Sequence, residues 1–374
     1  PNDFDTVEDL ERLPLLERST VQRAPERFRS EIIPQDRMLY THSSGSMGIP
    51  IEVWHDRDAV MANAAHGERQ RSIYTRFIGK SLGYRETVLI SSHSVAGDTQ
   101  GLVASRLALP KGMRIQRQYL PMAASFEQNL YEIQRFQPHV LHGHGSYLNE
   151  FFPYLYAHRI TLPSLKLVTF SSDSLFPGTR RLIEEEFGLP VFGTYQTIEA
   201  FQIGFECEEH RGYHLNVDLY PLRIVDEAGH TLPAGETGEI IISNLVNRGT
   251  VLLNYRLYDL ATLSIEPCLC GRNLPLLTRL EGRSDEFIPL ASGGHAHPSS
   301  VRTLFTIHPE ICQFQILAFE NFTCDARLVV RPECDRDALE RSLRADWRQR
   351  FGEALRLRNI AFVQEIPRPP GGKP

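Results

Sequence analysis

Residues 40–50 are Tyr40-Thr-His-Ser-Ser-Gly-Ser-Met-Gly-Ile-Pro50, and the strand-like Ile51-Glu-Val-Trp54 follows them at once. Gly45 and Gly48 allow the backbone to take positive φ and to approach a ligand closely. Consecutive N–H groups can surround an anion together with the hydroxyls of Ser43, Ser44 and Ser46. The stretch lacks the lysine of the nucleotide P-loop and no helix start follows it, which excludes a Walker-type site. An ordinary Ser/Gly-rich loop remains the alternative for this stretch taken alone.

Length and composition limit the class of protein. A chain of 374 residues exceeds the usual size of one compact unit, so we expect two domains. A hydrophobic content of 41% and a charged content of 23% are typical of a soluble globular protein. The net charge of -6 argues against nucleic acid as the main partner. No uninterrupted apolar run is long enough to cross a bilayer, so we expect no membrane partner either.

The cysteines and the first residues bear on the compartment. Six cysteines are too few for a disulfide scaffold in a chain of this length, and two of them form a tight Cys-x-Cys. With no signal-peptide pattern at the start, this usage indicates a reducing cytoplasm. The sequence begins with Pro1, and its first residues resemble the middle of a domain. We therefore expect that an N-terminal piece is missing.

Strand-like and helical patterns alternate between residues 56 and 195. Helices are predicted over 56–80, 125–136, 147–157 and 177–187, and strands over 87–91, 139–142, 165–170 and 190–195. This alternation predicts an α/β fold with a mostly parallel sheet covered on both faces. Ligands of such sheets lie beyond the carboxyl ends of the strands. Those ends are His142-Gly-His144, Ser171-Ser-Asp173 and the segment from Thr194 to Glu199.

The C-terminal third has a different pattern. Strands over 219–225 and 238–243 with a turn between them predict a hairpin, and 250–255 predicts another strand. Beyond residue 284, strands over 313–319, 326–330 and 359–363 and a helix over 336–350 predict a small α+β domain. We therefore expect a large domain over 1–283 and a small domain over 284–374.

Six motifs in a fixed order resemble those of the adenylate-forming enzymes. They are Ser43-Ser-Gly-Ser-Met-Gly-Ile-Pro50, Tyr195-Gln-Thr-Ile-Glu199, the segment from Asp226 to Glu239, Tyr255-Arg-Leu-Tyr-Asp259, Gly282-Arg-Ser-Asp285 and Gly372-Lys373. Within that superfamily the chain most resembles the phenylacetate-CoA ligase branch and its capsule-biosynthesis-type relatives. The resemblance implies a large AMP-binding domain with mixed, mostly parallel sheets and a β element, followed by a small mobile α+β domain.

The resemblance also implies a nucleotide site. The loop at 43–48 would hold the β- and γ-phosphates of ATP, and Glu199 would ligate Mg²⁺. Asp259 would accept hydrogen bonds from both ribose hydroxyls, and Arg283 would reach the ribose or a phosphate. The adenine and the α-phosphate would be lined by Ser171, Ser172, Asp173, Tyr195 and Gln196. From the residues alone, Tyr195 can equally be a core aromatic, and Glu199 a carboxylate at a helix start.

Two further roles follow from the resemblance, and a third is expected from the strand end at His142. Lys373, on a tail of prolines and glycines, would stabilise charge at the α-phosphate during adenylation. Asp285 would be the hinge about which the small domain rotates. The acyl-substrate pocket would include His142, Gly143, His144 and Gly145. A disordered terminal lysine is the alternative for Lys373.

Four residues depart from the pattern of the family. Met47 replaces a hydroxyl and Ile49 the usual lysine, while Gln196 and Ile198 stand where glycine and a hydroxyl or arginine are usual. These departures leave open a homologue that binds nucleotide without turnover.

Four residues can supply a zinc site. Cys207, His214, Cys268 and Cys270 offer three thiolates and one imidazole, a set that suits tetrahedral zinc. The spacing is not that of a common zinc finger, so buried free thiols remain open from the residues alone. The resemblance to the phenylacetate-CoA ligase branch favours structural zinc.

The resemblance implies ATP-dependent activation of a carboxylic acid through an acyl adenylate. The acyl group would then pass to a thiol, with coenzyme A as the expected acceptor and an aryl or arylacetic acid as the expected substrate. Transfer to an amine, a hydroxyl or the phosphopantetheine of a carrier protein is the alternative. A homodimer is also expected.

Overall fold

The computed structural model describes residues 5–42, 50–91, 94, 96–106, 110–283, 288–293, 295–296, 300–301, 304–305, 307–308 and 310–366. The chain divides into two compact units. The larger runs up to Leu257 and includes Ala261–Arg279, and the smaller comprises Tyr258–Leu260 and the described residues from Leu280 to residue 366. The expected domain boundary between residues 283 and 284 stays a prediction.

The larger unit begins with a short helix and a hairpin. Helix α1 (Arg18–Arg23) precedes strands β1 (Met38–His42) and β2 (Glu52–Asp56), which pair antiparallel. Helix α2 (Arg57–Ile78) follows directly. The Asp56 carboxylate caps it by accepting the backbone N–H groups of Asp58 and Ala59, each at 2.9 Å.

Among the described residues, eleven further strands form one sheet. Their bounds are β3 (Arg85–Ile90), β4 (Gln116–Pro121), β5 (Val140–His144), β6 (Leu167–Ser171), β7 (Val191–Thr197), β8 (Phe201–Glu206), β9 (Tyr213–Leu215), β10 (Leu222–Val225), β11 (Thr237–Ile242), β12 (Tyr255–Leu263) and β13 (Leu276–Arg283). The strand order is β10-β11-β12-β13-β9-β8-β7-β6-β5-β3-β4. Strands β3 to β7 pair parallel, and the pairing becomes antiparallel between β7 and β8.

Helices cover both faces of the parallel part of this sheet. Besides α2, the helices of this part of the chain are α3 (Ala96–Arg106), α4 (Phe126–Phe136), α5 (Gly145–Ala157) and α6 (Pro177–Arg181), which a π-helical turn over Leu182–Glu186 continues. Leu141 and Val168 pack in one core with α4 and α5. Their strand neighbours Val140 and Leu167 pack in another core with α2. Adjacent strand residues point to opposite faces, so the sheet is buried on both sides.

The predicted alternation of helices and strands over 56–195 is confirmed by these elements. The predicted strand over 250–255 is wrong, because β12 begins only at Tyr255. Asn254 has a φ of 53°, which interrupts an extended strand, and Thr250 forms only an isolated bridge with Arg29. The Thr250 hydroxyl instead accepts the backbone N–H of Trp54 at 2.8 Å.

The smaller unit contains the predicted α+β arrangement. Strands β14 (Ile288–Pro289) and β15 (His295–Ala296) form one pair, and β16 (Ile311–Phe319), β17 (Thr323–Val330) and β18 (Arg356–Phe362) form a three-stranded sheet. Helix α7 (Arg336–Phe351) connects β17 to the parallel β18. Its Trp347 is buried in the core and donates its indole N–H to the carbonyl of Leu355 at 2.6 Å.

None of the helices in the described part of the chain has the length and apolar character needed to cross a lipid bilayer.

Candidate functional site

Glu199 lies in the tight turn between β7 and β8, where the sheet changes from parallel to antiparallel pairing. The residue is 5% exposed. Its Oε1 accepts a hydrogen bond from the Tyr255 hydroxyl at 3.2 Å and lies 3.5 Å from Nη1 of Arg18. Its backbone carbonyl accepts from the Asn244 side chain at 2.9 Å. The carboxylate is therefore held in place, and a fixed carboxylate is a ligand that Mg²⁺ prefers.

Two buried asparagines join this turn to β2. The Asn244 side chain donates to the carbonyl of Glu199, and its Oδ1 accepts the backbone N–H of Asn247 at 3.0 Å. Asn247 in turn donates to the carbonyl of Trp54 at 2.9 Å and accepts the backbone N–H of Asp56 at 3.1 Å. We call residues 244–250 the asparagine loop. It fixes the strand that follows residues 43–49 relative to Glu199.

His55 of β2 makes a second connection to the same turn. The side chain is fully buried and lies on Phe201 with ring centroids 4.0 Å apart. Its Nε2 is 2.9 Å from the carbonyl oxygen of Ile198, so this nitrogen carries a proton and donates it. Burial lowers the pKa of His55 to about 4, which keeps the ring neutral near pH 7.

Polar side chains form a connected row across the carboxyl ends of three neighbouring strands. His142 of β5 contacts Thr169 of β6 at 2.8 Å through Nδ1 and Ser171 at 3.2 Å through Nε2. Gln196 of β7 donates to the Ser171 hydroxyl at 2.9 Å. Burial lowers the pKa of His142 to about 4, so the ring is neutral near pH 7. The structure thus brings together His142, which was predicted for the acyl-substrate pocket, and Ser171 and Gln196, which were predicted for the nucleotide site.

Gly145 allows the next two predicted segments to meet. A Cβ added at Gly145 would lie 2.5 Å from the carbonyl carbon of Ser174 and 2.6 Å from the carbonyl oxygen of Asp173. The close approach lets the Asp173 carboxylate accept the backbone N–H of Ser146, at the start of α5, at 2.9 Å. His144 lies beside Ser171 in the register of β5 and β6. The acyl-pocket and adenine segments predicted from sequence are therefore neighbours.

The other described candidates stand as follows. Tyr195 is 6% exposed and packs on Tyr213 with ring centroids 6.3 Å apart, an arrangement that favours the core-aromatic alternative. Gly143 packs its backbone against Leu89 and Leu148. Ser172 is exposed with a φ of 73°, and Asp259 lies on β12.

Several candidates lie outside the described part of the chain. The phosphate loop with Ser43, Ser44, Gly45, Ser46 and Gly48, the hinge Asp285 and the lysine Lys373 all belong to this group. Arg283 ends β13, and its side chain is also outside the description. The roles of these residues stay predictions.

The four candidate zinc ligands converge in the larger unit. Their ligand atoms all lie within 4.8 Å of one another. The Sγ atoms of Cys207 and Cys268 are 3.6 Å apart, and Sγ of Cys270 is 3.3 Å from Nε2 of His214. Zn–S bonds of about 2.3 Å at tetrahedral angles require S···S separations of about 3.8 Å. The set therefore has the donor chemistry and the approximate spacing that tetrahedral zinc needs.

Strand pairing explains why these distant residues meet. His214 of β9 lies opposite Phe205 of β8 on one side and Leu276 of β13 on the other. Cys207 directly follows β8, and the loop with Cys268 and Cys270 precedes β13. Burial raises the pKa of the Cys207 thiol to about 12, so a metal would be needed to hold it as a thiolate.

Sequence reasoning missed Arg18, His55 and the two asparagines of the asparagine loop. Each of them contacts β2 or the Glu199 turn from a position far away in the sequence, and none belongs to a motif with a recognisable spacing. Tyr255 stood in a motif, but its contact with Glu199 was not predicted.

The chain resembles three curated ligases over most of its length, although no family model matches it. The phenylacetate-coenzyme A ligase of Thermus thermophilus is 25% identical over 338 residues, which cover 87% of this chain and 72% of that protein. Those of Pseudomonas putida and Escherichia coli are each 24% identical, covering 89% and 85% of this chain and 75% and 70% of those proteins.

Solved structures show the same fold. A 2-hydroxyisobutyryl-CoA ligase in the postadenylation state with 2-HIB-AMP has a TM-score of 0.74 at 17% identity, covering 97% of this chain and 80% of that one. The anthranilate CoA ligase AuaEII with anthranoyl-AMP has a TM-score of 0.65 at 18% identity, covering 91% of this chain and 66% of that one. The predicted fold class is thereby confirmed. These similarities support the adenylate-forming superfamily, and within it the branch of the phenylacetate-CoA ligases, as the family of this chain.

Proposed function

We propose that this protein uses ATP to join a carboxylic acid to coenzyme A through an acyl adenylate. The observation that carries the proposal is the similarity to three phenylacetate-CoA ligases, each over at least 85% of this chain. Aryl or arylacetic acids are the proposed substrates, because the relatives are named for phenylacetate.

The reaction has two steps. A carboxylate oxygen of the acid attacks the α-phosphorus of ATP, the bond to the β-phosphate breaks, and pyrophosphate leaves. The thiol of coenzyme A then attacks the carbonyl carbon of the adenylate, and AMP leaves with the anhydride oxygen. Neither step needs a nucleophilic side chain, so the protein contributes positioning and charge neutralisation.

Glu199 is the proposed ligand of Mg²⁺, which would neutralise charge on the phosphates. Its burial and its hydrogen bond from Tyr255 support a fixed carboxylate oriented before the ligand arrives. The row of His142, Ser171 and Gln196 is the proposed boundary between the acid and the nucleotide. This row offers neutral donors and acceptors, because burial keeps His142 uncharged.

The remaining roles follow from the resemblance alone. We propose that residues 43–48 and Arg283 contact phosphate or ribose, that Asp259 binds the ribose, that Asp285 is the hinge, and that Lys373 acts at the α-phosphate in adenylation.

A structural zinc ion is proposed at Cys207, His214, Cys268 and Cys270. The support is the convergence of one imidazole nitrogen and three sulfur atoms within 4.8 Å. Zinc there would tie the loop before β13 to the end of β8.

The test measures exchange of labelled pyrophosphate into ATP with a panel of aryl and arylacetic acids, and then the thioester by mass spectrometry. Acid-dependent exchange together with an acyl-CoA product is the expected result. Exchange without an acyl-CoA product, but with an amide, an ester or an acylated carrier protein, would mean that the proposed acceptor is wrong. Absence of exchange with every acid, combined with tight AMP binding, would instead indicate a binding protein without turnover.

A further inference from the structure

Arg18, the first residue of α1, places a guanidinium beside the proposed magnesium ligand. Its Nη1 lies 3.5 Å from Oε1 of Glu199, the same oxygen that accepts from the Tyr255 hydroxyl at 3.2 Å. The side chains of Arg18 and Glu199 are 20% and 6% exposed. A cation and a carboxylate therefore face each other where little water reaches.

The chain before Arg18 is anchored to the start of β12. The Leu16 N–H donates to the carbonyl of Asn254 at 2.9 Å, and the Arg256 N–H donates to the carbonyl of Leu16 at 3.1 Å. The Glu17 carboxylate pairs with the Arg256 guanidinium at 3.0 Å. These contacts hold Arg18 at the Glu199 turn through the fold of the larger unit.

The contact between Arg18 and Glu199 does not have the geometry of a strong ion pair. Charge-assisted hydrogen bonds of guanidinium to carboxylate are usually about 2.7–2.9 Å long, and often two form in parallel. Arg18 reaches Glu199 with one nitrogen at 3.5 Å. A guanidinium fits two phosphate oxygens at once, which makes arginine a preferred phosphate ligand.

The balance of charges around Glu199 also favours a phosphate as the partner of Arg18. A divalent cation on Glu199 would stand next to the positive guanidinium and be repelled by it. An anionic group that arrives with the cation removes this conflict, since its oxygens can contact both the metal and Arg18. A nucleotide phosphate is such a group.

We propose that Arg18 binds a phosphate of the nucleotide and leaves Glu199 to the metal when the nucleotide is present. This inference rests on the proposed function and adds a residue that none of the six motifs contains. Arg18 is then part of the nucleotide-binding site of the larger unit.

The experiment measures binding of ATP and of AMP to the full chain by calorimetry in the presence of Mg²⁺. The variants are Arg18→Ala, Arg18→Lys and, as a matched control, Arg23→Ala, which removes an exposed arginine of the same helix. We expect Arg18→Ala to weaken ATP binding about tenfold or more, and Arg18→Lys to restore part of it. Arg23→Ala should bind ATP like the wild type. An equal loss for ATP and AMP supports contact with the α-phosphate, and a loss for ATP alone supports contact with the β- or γ-phosphate.

Unchanged ATP affinity in Arg18→Ala, with or without a lower melting temperature, would overturn the inference and reduce Arg18 to a stabilising neighbour of Glu199. That outcome leaves the proposed function intact if the wild type still exchanges pyrophosphate. A wild type that neither binds ATP nor exchanges pyrophosphate would refute both. Thermal unfolding of every variant shows whether a variant with weaker ATP binding is still folded. If Arg18→Ala does not fold, Arg18→Lys tests whether the guanidinium, and not only a positive charge, is needed for ATP binding.

Discussion

Replacing Gly145 by alanine should force apart the two strand-end segments that meet at the candidate site. Gly145 is the first residue of α5 and does not have a positive φ, so its backbone conformation is one that alanine also adopts. The obstacle is space, because the new Cβ would lie 2.5 Å from backbone carbon of Ser174 and 2.6 Å from the backbone nitrogen of Leu175. Those contacts are to backbone, which cannot rotate out of the way as a side chain can.

The size of the effect follows from these distances. Ordinary contact begins near 3.4 Å, so the segments must separate by about 0.9 Å. Overpacking of this kind costs about 1–3 kcal/mol in the free energy of unfolding. A displacement of about 1 Å next to reacting groups can lower a rate about 100-fold. We therefore expect the rate of acid-dependent pyrophosphate exchange to fall about 100-fold, while denaturant unfolding reports the smaller loss of stability.

Gly178→Ala is the matched control. Gly178 also lies in the first turn of a helix, α6, but a Cβ there meets nothing within 4 Å. This variant should keep both the exchange rate and the stability of the wild type. If Gly145→Ala also kept the exchange rate and the stability of the wild type, the close approach of the two segments would not matter for either, and the prediction would be wrong.

Three further predictions concern charged groups and the metal cluster. Glu199→Gln should lower pyrophosphate exchange about 100-fold, equivalent to about 2.7 kcal/mol, and raise the Mg²⁺ concentration needed for half the maximal rate; an unchanged Mg²⁺ dependence would contradict its role. Cys268→Ser should reduce zinc, measured by elemental mass spectrometry, from about one equivalent to a small fraction, whereas the exposed Cys312→Ser should retain it. Wild-type protein purified without chelators and free of zinc would contradict the site. Glu206→Gln should lose about 3–5 kcal/mol of unfolding free energy near neutral pH, because it removes the buried partner of Arg180 at 2.7 Å. Burial raises the pKa of Glu206, but its hydrogen bonds and the charge of Arg180 outweigh burial, so the pKa in the folded protein is lowered. The ionised Glu206 therefore stabilises the folded state above its ordinary pKa, and this stabilisation is lost as the pH falls through the lowered pKa of the folded protein. The difference in unfolding free energy between wild type and Glu206→Gln should then shrink as the pH falls through the lowered pKa of Glu206, and a difference that stays constant throughout the acid range would argue against this pairing.

The parallel sheet could be predicted because its signals are local. Buried parallel strands are rich in apolar residues, such as Leu167, Val168 and Phe170 of β6. The helices carry recognisable ends, such as the Ser125 cap of α4 and Gly79 after α2. The prediction of a strand over 250–255 was wrong because this apolar run forms a loop, in which the Thr250 hydroxyl and the Val251 N–H bond to other segments of the chain. The periodicity of apolar residues cannot distinguish a strand from a loop of this kind.

The site could be predicted only where its residues stand in spaced motifs. Arg18 and Glu199 are 181 residues apart, and Asp56 and Asn247 are 191 apart. Their contacts depend on which strands become neighbours, and composition or spacing does not encode that. The zinc candidates were visible because Cys-x-Cys is itself a local signal, although their convergence depends on the pairing of β8, β9 and β13.

The asparagine loop has a consequence for changing the preferred acid. Its side-chain amides are saturated by partners inside the protein, so variation there would damage the scaffold without offering new contacts to a substrate. Libraries for directed evolution should leave residues 244–250 constant and diversify the row at His142, Ser171 and Gln196. Changes confined to this row would then leave intact the hydrogen bonds that connect the Glu199 turn to β2.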